Sequence, residues 1–550
     1  MASLSTMPVD IYLHMLKFLR TPDLYSLNLV CKPLRELTEP ALYRTIHLSW
    51  RDLTEIESTD ARWNDKGRRL LRNVKSGPFR LLRSILGRPE LASLVRSIQF
   101  TFDDRSSDVD HHRLNTRSRR RHSYDRPPSW RDFKALNEVV LKEDLLDKIM
   151  WRTELSQGAI DAYVALLLHH LHNLEYLNLG TGFLRASSFT DLTMRHNLIW
   201  NPEASSLRPF KSIKHIVYNA EQPGSNHPPT IDDYPTMVAL FYLPSVETME
   251  IALPDCSGIP KSATGRIAST LRVLIVHRAL VRALTLERVL SFAPNLTSLI
   301  LELSYLGQGP LSLHDGPENI NCPEVWHVLL RLEPSLECLV LYVIPCMPQE
   351  NRQIHLMPPL PQPPQQPHWA AFISHFGSLR GFKKLKKLDV PLIMLLGGHE
   401  LRYQEPTILA ECLPTNLEDL SLSYTEDTFT KFDNYIVHNF HLHLSNYLQQ
   451  SRELSSSLLS ITVKLGEWDS AQRSLIGISA LADLCEWFGV ALRVIQNVAD
   501  TRYSNGDDMV RKETLFDPLE PAPGPTVSYK WRTFLEHGPR PVRTPPANTR

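Results

Sequence analysis

The chain has 550 residues, its 60 Lys and Arg side chains balance 60 Asp and Glu side chains, and 42% of its residues are hydrophobic. Zero net charge gives no overall field that would favour nucleic acid or a membrane surface as a partner, and the length predicts several domains or one elongated repeat domain. The seven cysteines are odd in number, dispersed and without a CxxC pair. This pattern is typical of buried thiols in a reducing compartment rather than of a disulfide framework.

The N-terminal apolar run is interrupted by Asp10, His14 and Lys17, so we expect no signal peptide. No stretch of about 18 uninterrupted apolar residues occurs, and no membrane span is predicted. We therefore expect localisation in the cytoplasm, the nucleus or both.

Three short helices are predicted within residues 7–48. Pro8 suits the first turn of the first helix, Pro22 suits the first turn of the second, and Pro33 separates the second helix from the third. The first helix carries its apolar residues on one face: Ile11, Met15, Phe18 and Leu19. About forty residues are too few to bury apolar side chains that lie on several helix faces. The surplus predicts a surface that contacts a partner.

This N-terminal stretch resembles an F-box over residues 7 to about 46. The resemblance rests on an ordered series of short runs: Met-Pro, Val-Asp-Ile, Met-Leu-Lys-Phe-Leu, Pro-Asp-Leu, Ser-Leu-Asn-Leu-Val-Cys-Lys, Leu-Arg-Glu-Leu and Pro-Ala-Leu-Tyr. Two positions depart from the family's pattern. Met7 replaces the usual Leu, and Leu34 lies near the place where the family often has Trp, which predicts weaker packing of the third helix.

The resemblance implies that this stretch binds a Skp-type adaptor, which joins it to the cullin and RING subunits of an SCF ubiquitin ligase. It also implies which residues contact the adaptor or shape the surface that does: Pro8, Ile11, Leu16, Leu19, Leu24, Leu27, Val30 and Cys31. The alternative is that these residues merely cap the next domain.

A second pattern recurs along most of the remaining chain. Ten six-residue segments have an apolar residue at their first, fourth and sixth positions: 95–100, 174–179, 213–218, 246–251, 271–276, 296–301, 336–341, 385–390, 417–422 and 458–463. A weaker copy starts at Leu492. The fourth and sixth positions lie on the same side of a strand, and helical stripes at 161–171 and 287–293 separate strands. Such repetition predicts a solenoid with a parallel sheet on one face and helices on the other.

The repeats resemble leucine-rich repeats in the irregular form common behind fungal F-boxes. The expected fold class is therefore α/β, with an N-terminal three-helix F-box followed by a leucine-rich-repeat-like α/β solenoid whose parallel strands line the concave face. An ordinary α/β domain with leucine-rich strands is the alternative. The predicted organisation is an F-box at 1–48, linker helices and a first repeat at 49–102, a disordered basic insertion at 103–131, the solenoid at 132–500 and a partly disordered tail at 501–550.

Two insertions could carry signals of their own. Arg117 and the run Arg119-Arg120-Arg121 fit a nuclear import signal, a patch that docks an acidic partner or a solvated loop. The proline-rich segment 356–367 fits a PxxP ligand or a stiff loop between repeats.

No catalytic motif stands out, since the chain has no Walker-type loop, GxGxxG, HExxH or GxSxG. The histidine groups 169–172 and 438–443 and the pair Glu467 and Asp469 lack the partners that a metal or glycosidase site requires. We expect no cofactor, no metal and no enzymatic activity.

The expected function is recognition of a protein substrate for an SCF-type E3 ubiquitin ligase, and the alternative is a scaffold that binds the adaptor without forming a ligase. Substrate would contact strand-flanking residues on the concave face: Lys386, Lys387, Asp389, Glu418, Asp419 and Ser421. Because these residues carry charges of both signs, they do not indicate the charge of the partner.

Overall fold

The fold is taken from a computed structural model of the chain. It describes residues 8–50, 77–102, 127–143, 145–180, 188–196, 198, 210–218, 239–252, 270–279, 283–306, 320–346, 372–373, 376–396, 409–423, 444–450, 457–465 and 481–496. The arginine run 117–121, the proline-rich segment 356–367, the histidines 438–443, the Glu467 and Asp469 pair and the tail 501–550 lie outside these residues.

The helices, in chain order, are α1 Val9–Leu16, α2 Thr21–Asn28, α3 Lys32–Arg44, α4 Gly77–Gly87, α5 Trp130–Lys142, α6 Lys148–Gln157, α7 Ile160–His170, α8 Ser188–Arg195, α9 Ala283–Ser291, α10 Cys322–Leu329, α11 Leu392–Leu396 and α12 Leu409–Cys412. Residues 444–450 and 481–488 are also helical. Short 3-10 helices span Pro89–Leu94, Leu330–Leu332 and Leu379–Gly381. Among the described residues no helix has the length and apolar character needed to cross a bilayer.

The strands are β1 Thr45–Trp50, β2 Ser97–Phe102, β3 Tyr176–Leu179, β4 His215–Tyr218, β5 Thr248–Ala252, β6 Val273–Ala279, β7 Ser298–Leu306, β8 Ile320–Asn321, β9 Cys338–Cys346, β10 Phe372–Ile373, β11 Lys387–Pro391, β12 Asp419–Ser423, β13 Ser460–Leu465 and β14 Ala491–Gln496. Each of the ten segments with the repeated apolar pattern overlaps one of these strands, as does the weaker copy at Leu492. The predicted helices at 161–171 and 287–293 are confirmed as α7 and α9.

Twelve strands form one parallel sheet in chain order, β1-β2-β3-β4-β5-β6-β7-β9-β11-β12-β13-β14, while β8 and β10 form a separate parallel pair. Parallel neighbours need a crossover between them, and the crossovers carry the helices. The result is a solenoid-like α/β region, as the repeated pattern predicts.

Main-chain hydrogen bonds repeat from strand to strand in the large sheet. At each strand start from β3 to β13, two successive N–H groups donate to one carbonyl just before the preceding strand, at 2.7–3.1 Å. Glu175 and Tyr176, for example, both donate to Arg96, and Lys214 and His215 both donate to Glu175. The identical geometry fixes the register of each strand against its neighbour.

Side chains alternate across this sheet. In β3, Leu177 and Leu179 are buried, whereas Tyr176 and Asn178 are partly exposed. The fourth and sixth positions of each segment thus enter one continuous core with the helices. We name the opposite side, from Tyr176 and Asn178 in β3 to Ser460 and Thr462 in β13, the strand face. It is the face that the sequence predicts to be concave.

Two boundaries differ from those expected. Residues 43–48, which the sequence assigns to the exit from the F-box, carry the same apolar pattern and form β1, the first strand of the sheet. Helix α5 begins at Trp130, inside the last two residues of the predicted insertion, because Ser129 caps it by accepting a hydrogen bond from Asp132 N at 3.3 Å.

Candidate functional site: the N-terminal helices and the strand face

The N-terminal helices expose an unusual share of apolar side chains. Of the fifteen large hydrophobic side chains that the described residues leave exposed, eight lie within residues 9–30. They are Val9, Ile11, Leu13, Met15, Phe18, Tyr25, Leu29 and Val30. Exposed apolar surface of this density in so short a segment marks an interaction site.

The residues expected to contact the adaptor fall into three groups. Pro8, Ile11, Val30 and Cys31 are exposed, and Leu19 and Leu27 are half-buried. Leu16 and Leu24 are buried within the helices, so they support the fold of this surface rather than forming part of it.

Six of the eight exposed side chains were not among the expected contacts: Val9, Leu13, Met15, Phe18, Tyr25 and Leu29. Met15 and Phe18 lie on the predicted apolar stripe of the first helix, so the periodicity could have identified them. Leu13 and Leu29 lie off the main stripes, and only their exposure marks them.

The third helix is well anchored despite having Leu34 near the usual place of the Trp. Thr38 is fully buried, and its hydroxyl donates to the Leu34 carbonyl at 2.8 Å. Helix α3 is also the longest of the three at 13 residues, and it continues into β1 without a loop. Its position is therefore set by the sheet as well as by α2.

A partly buried ion pair joins the N-terminal helices to the first repeat. Glu39 on α3 accepts hydrogen bonds from both terminal nitrogens of Arg88, at 2.6 and 2.8 Å. Arg88 also donates to Glu90 at 2.8 Å. The hydrogen bonds from Arg88 hold the pKa of Glu39 below its ordinary value, against the opposing effect of burial. Such bidentate geometry restricts rotation of the helices relative to the sheet.

The six residues expected to contact substrate lie on or beside β11 and β12. Lys386 pairs with Glu418 at 3.3 Å just before the strands. Asp419 accepts from the Ser460 hydroxyl at 2.5 Å, and Lys387 is exposed. Asp389 and Ser421 are register partners on adjacent strands and both are buried.

The strand face carries other charged and polar side chains that the sequence did not identify as candidate contacts. His277 on β6 bridges two carboxylates, with Nε2 2.7 Å from Glu250 Oε1 and Nδ1 3.1 Å from Glu302 Oε2. Further along, Lys464 on β13 pairs with Asp389 and lies 5.1 Å from the centre of the Tyr342 ring. Glu250 and Asp389 lie at the fifth position of their segments, and the other four residues lie one position past the sixth. The alternation along each strand is the signal that could have placed them on one face.

The described histidines, carboxylates and thiols show neither a metal site nor an activated cysteine. Within the described part of the chain, no cluster of three or more His, Cys, Asp and Glu side chains could hold a metal ion. His169 instead pairs with Glu143 at 3.1 Å. Burial raises the pKa of the Cys412 and Cys485 thiols to about 11, so both stay protonated at neutral pH.

Comparison with known proteins identifies the N-terminal helices. The family model described as F-box-like matches residues 4–49, the segment that exposes the apolar side chains. The chain therefore carries an F-box-like domain, followed by an α/β region built on a twelve-stranded parallel sheet. No curated protein matches the chain.

Proposed function

We propose that this protein is the substrate-recognition subunit of an SCF-type E3 ubiquitin ligase. The F-box-like domain binds a Skp-type adaptor, and through it the cullin and RING subunits, while the strand face of the repeats binds a target protein. The ligase acts in the cytoplasm or nucleus, and the ubiquitinated target goes to proteasomal degradation. The chain itself supplies no catalytic residue. Its contribution is to hold a target lysine near the loaded conjugating enzyme, which makes the transfer effectively intramolecular.

The observation that carries this proposal is the exposed apolar surface of the F-box-like domain. A domain that only capped the repeats would turn these side chains toward the sheet. Instead Phe18 is 75% exposed and Val30 is 66% exposed, while Leu24 between them is buried. A partner that covers the exposed side chains removes this area from water, which favours association.

The junction between the two parts supports the same function. Helix α3 runs directly into β1, and the Glu39–Arg88 ion pair ties it to the first repeat. A target bound on the strand face would therefore keep a fixed orientation relative to the adaptor. Fixed orientation is what proximity catalysis needs.

The test is affinity purification of the full chain followed by mass spectrometry, with the proteasome and neddylation blocked. We expect the Skp-type adaptor, a cullin and a RING subunit to co-purify, together with candidate substrates. Val30→Asp should release all three ligase subunits, because burying the new charge at the interface is costly. Trp487→Asp, which changes an exposed apolar side chain far along the chain, should release none.

The same experiment separates the proposed function from its alternative. Recovery of the adaptor without a cullin would favour a scaffold that does not form a ligase. Loss of the adaptor from the unmodified protein would refute the proposal altogether.

A further inference from the structure

A polar site interrupts the strand face at its C-terminal end. It consists of Tyr342 on β9, Asp389 on β11, Ser421 on β12 and Lys464 on β13, and we name it the β11–β12 site. Asp389 and Ser421 lie opposite each other in the strand register. Both alternate with core residues, so both side chains project onto the strand face.

Two side chains of this site are almost completely buried. Asp389 is only 5% exposed and Ser421 only 9%. Asp389 Oδ1 and Ser421 Oγ have no hydrogen-bond partner among the described residues. The Tyr342 hydroxyl is close to the same carboxylate, and burial together with the Asp389 charge raises the pKa of Tyr342. A buried acceptor without a partner is costly, and such an atom in a native protein calls for an explanation. Two of them on neighbouring strands point to a group that binds both.

Lys464 covers the site. Its Nζ lies 2.5 Å from Asp389 Oδ2, although β12 separates the two strands. The Lys464 side chain must therefore cross above β12, where the facing residues Ser421 and Ser423 are small. Its end also lies over the Tyr342 ring. Lysine is a long and flexible side chain, so it is the part of the cover that can move aside.

The charges of the site exclude ionised ligands. A second ammonium or guanidinium at Asp389 Oδ1 would lie beside the Lys464 ammonium and be repelled. A carboxylate would be repelled by Asp389 itself. The ligand group must be neutral, must donate a hydrogen bond to the carboxylate and can accept one from the Ser421 hydroxyl.

A side-chain carboxamide has these properties, because its NH₂ donates and its oxygen accepts side by side. Asp389 and Ser421 project from strands about 4.8 Å apart. A planar amide can meet each of them with a separate atom, whereas a hydroxyl offers a single oxygen to both. The two atoms also lie beneath neighbouring side chains, so a ligand side chain reaches them more readily than a ligand main chain.

We propose that Asp389 and Ser421 recognise an Asn or Gln side chain of a bound protein segment, which enters when Lys464 moves aside briefly and is held after Lys464 pairs again with Asp389 Oδ2. This inference rests on the proposed function and deepens it, since it names a chemical class of substrate for the strand face.

The test selects random linear peptides displayed on phage against the full-length protein in complex with the Skp-type adaptor. We expect selected peptides to share an Asn or Gln at one position. In a synthetic copy of a selected peptide, replacing that amide by Glu or Ala should weaken binding about tenfold or more, because the buried acceptor is left unpaired. This comparison uses only the unmodified protein, so it does not depend on whether a variant folds.

Variants of the protein sharpen the result. Ser421→Ala should weaken the selected peptides, whereas Thr462→Val, which removes the hydroxyl from the register partner of Ser421 on β13, should leave them unchanged. Lys464→Met removes the repelling charge, so a new selection should shift from Asn and Gln to Lys and Arg.

Several outcomes would overturn the inference: selection without an Asn or Gln preference, preference for Ser or Thr, failure to select any peptide, or binding that Ser421→Ala does not change. None of these bears on adaptor binding, which is read separately from the complex. A complex that does not form would refute the proposed function and leave the peptide selection to be made on the full chain alone.

Discussion

Truncation of Phe18 gives the sharpest test of the adaptor-binding surface. Phe18 is 75% exposed, and full burial of a Phe side chain stabilises by roughly 1.5–3 kcal/mol. Covering three-quarters of it with an adaptor should therefore contribute about 1–2 kcal/mol. We expect Phe18→Ala to raise the Kd for a Skp-type adaptor about 5- to 30-fold and to change the melting temperature little. The ring packs edge-on against the exposed His14, with 5.2 Å between centroids, and not into the core.

Isothermal titration calorimetry measures the Kd, and circular dichroism measures the melting temperature. Trp487→Ala is the matched control, since Trp487 is 78% exposed and should not change the Kd. Leu24→Ala is the opposite control. Leu24 is only 7% exposed, so its truncation should cost about 2–5 kcal/mol of folding free energy and lower the melting temperature. A Phe18→Ala variant that binds within twofold of the unmodified protein would refute the assignment of this surface.

Three further predictions concern the repeats. Asp161 is buried and accepts hydrogen bonds from Phe189 N at 2.6 Å and from the Thr190 hydroxyl at 2.7 Å. Asp161→Ala should therefore lower the free energy of unfolding, measured by urea titration, by about 3 kcal/mol. Asp161→Asn should lower it by less. Burial, followed by the charge of His169, lowers the pKa of His170 to about 4. His170 protonates at about 6.5 in the unfolded chain but not in the folded chain. Its contribution to stability should therefore be constant above pH 6.5 and be lost, by up to about 3 kcal/mol, as the pH drops to 4. The pH dependence should flatten in His170→Gln, and an unchanged slope would contradict the assignment. A Cβ at Gly180 would lie 2.4 Å from the Phe100 carbonyl oxygen, so Gly180→Ala should cost about 1–3 kcal/mol; an unchanged melting temperature would count against this packing.

The sequence predicts the strands well because their signal is local. Each repeat places apolar residues at its fourth and sixth positions, and alternation along a strand sends both to the same side. The pattern therefore identifies every strand of the large sheet after β1, together with helices such as α7. It also indicates a parallel sheet, because helical stripes recur between the strands.

The sequence assigns the adaptor-binding residues less sharply. Periodicity shows that residues on a helix share a face, but it does not show whether that face is turned inward. Leu16 and Leu24 are as apolar as Ile11 and Val30, yet the first two are buried by neighbouring helices and the last two are exposed. The packing of α1, α2 and α3 against one another decides the difference.

Spacing along the chain is sufficient to predict the F-box-like domain, the repeated strands and the face of the sheet to which each strand residue belongs. Which of those residues contact one another depends on the three-dimensional packing. Asp389 and Lys464 are 75 positions apart, and they pair only because parallel strands in register bring their side chains to one level of the sheet. The same strand register places the oxygens of Asp389 and Ser421 side by side. Their lack of a partner among the described residues could not be read from the sequence, because hydrogen bonding depends on distances in space.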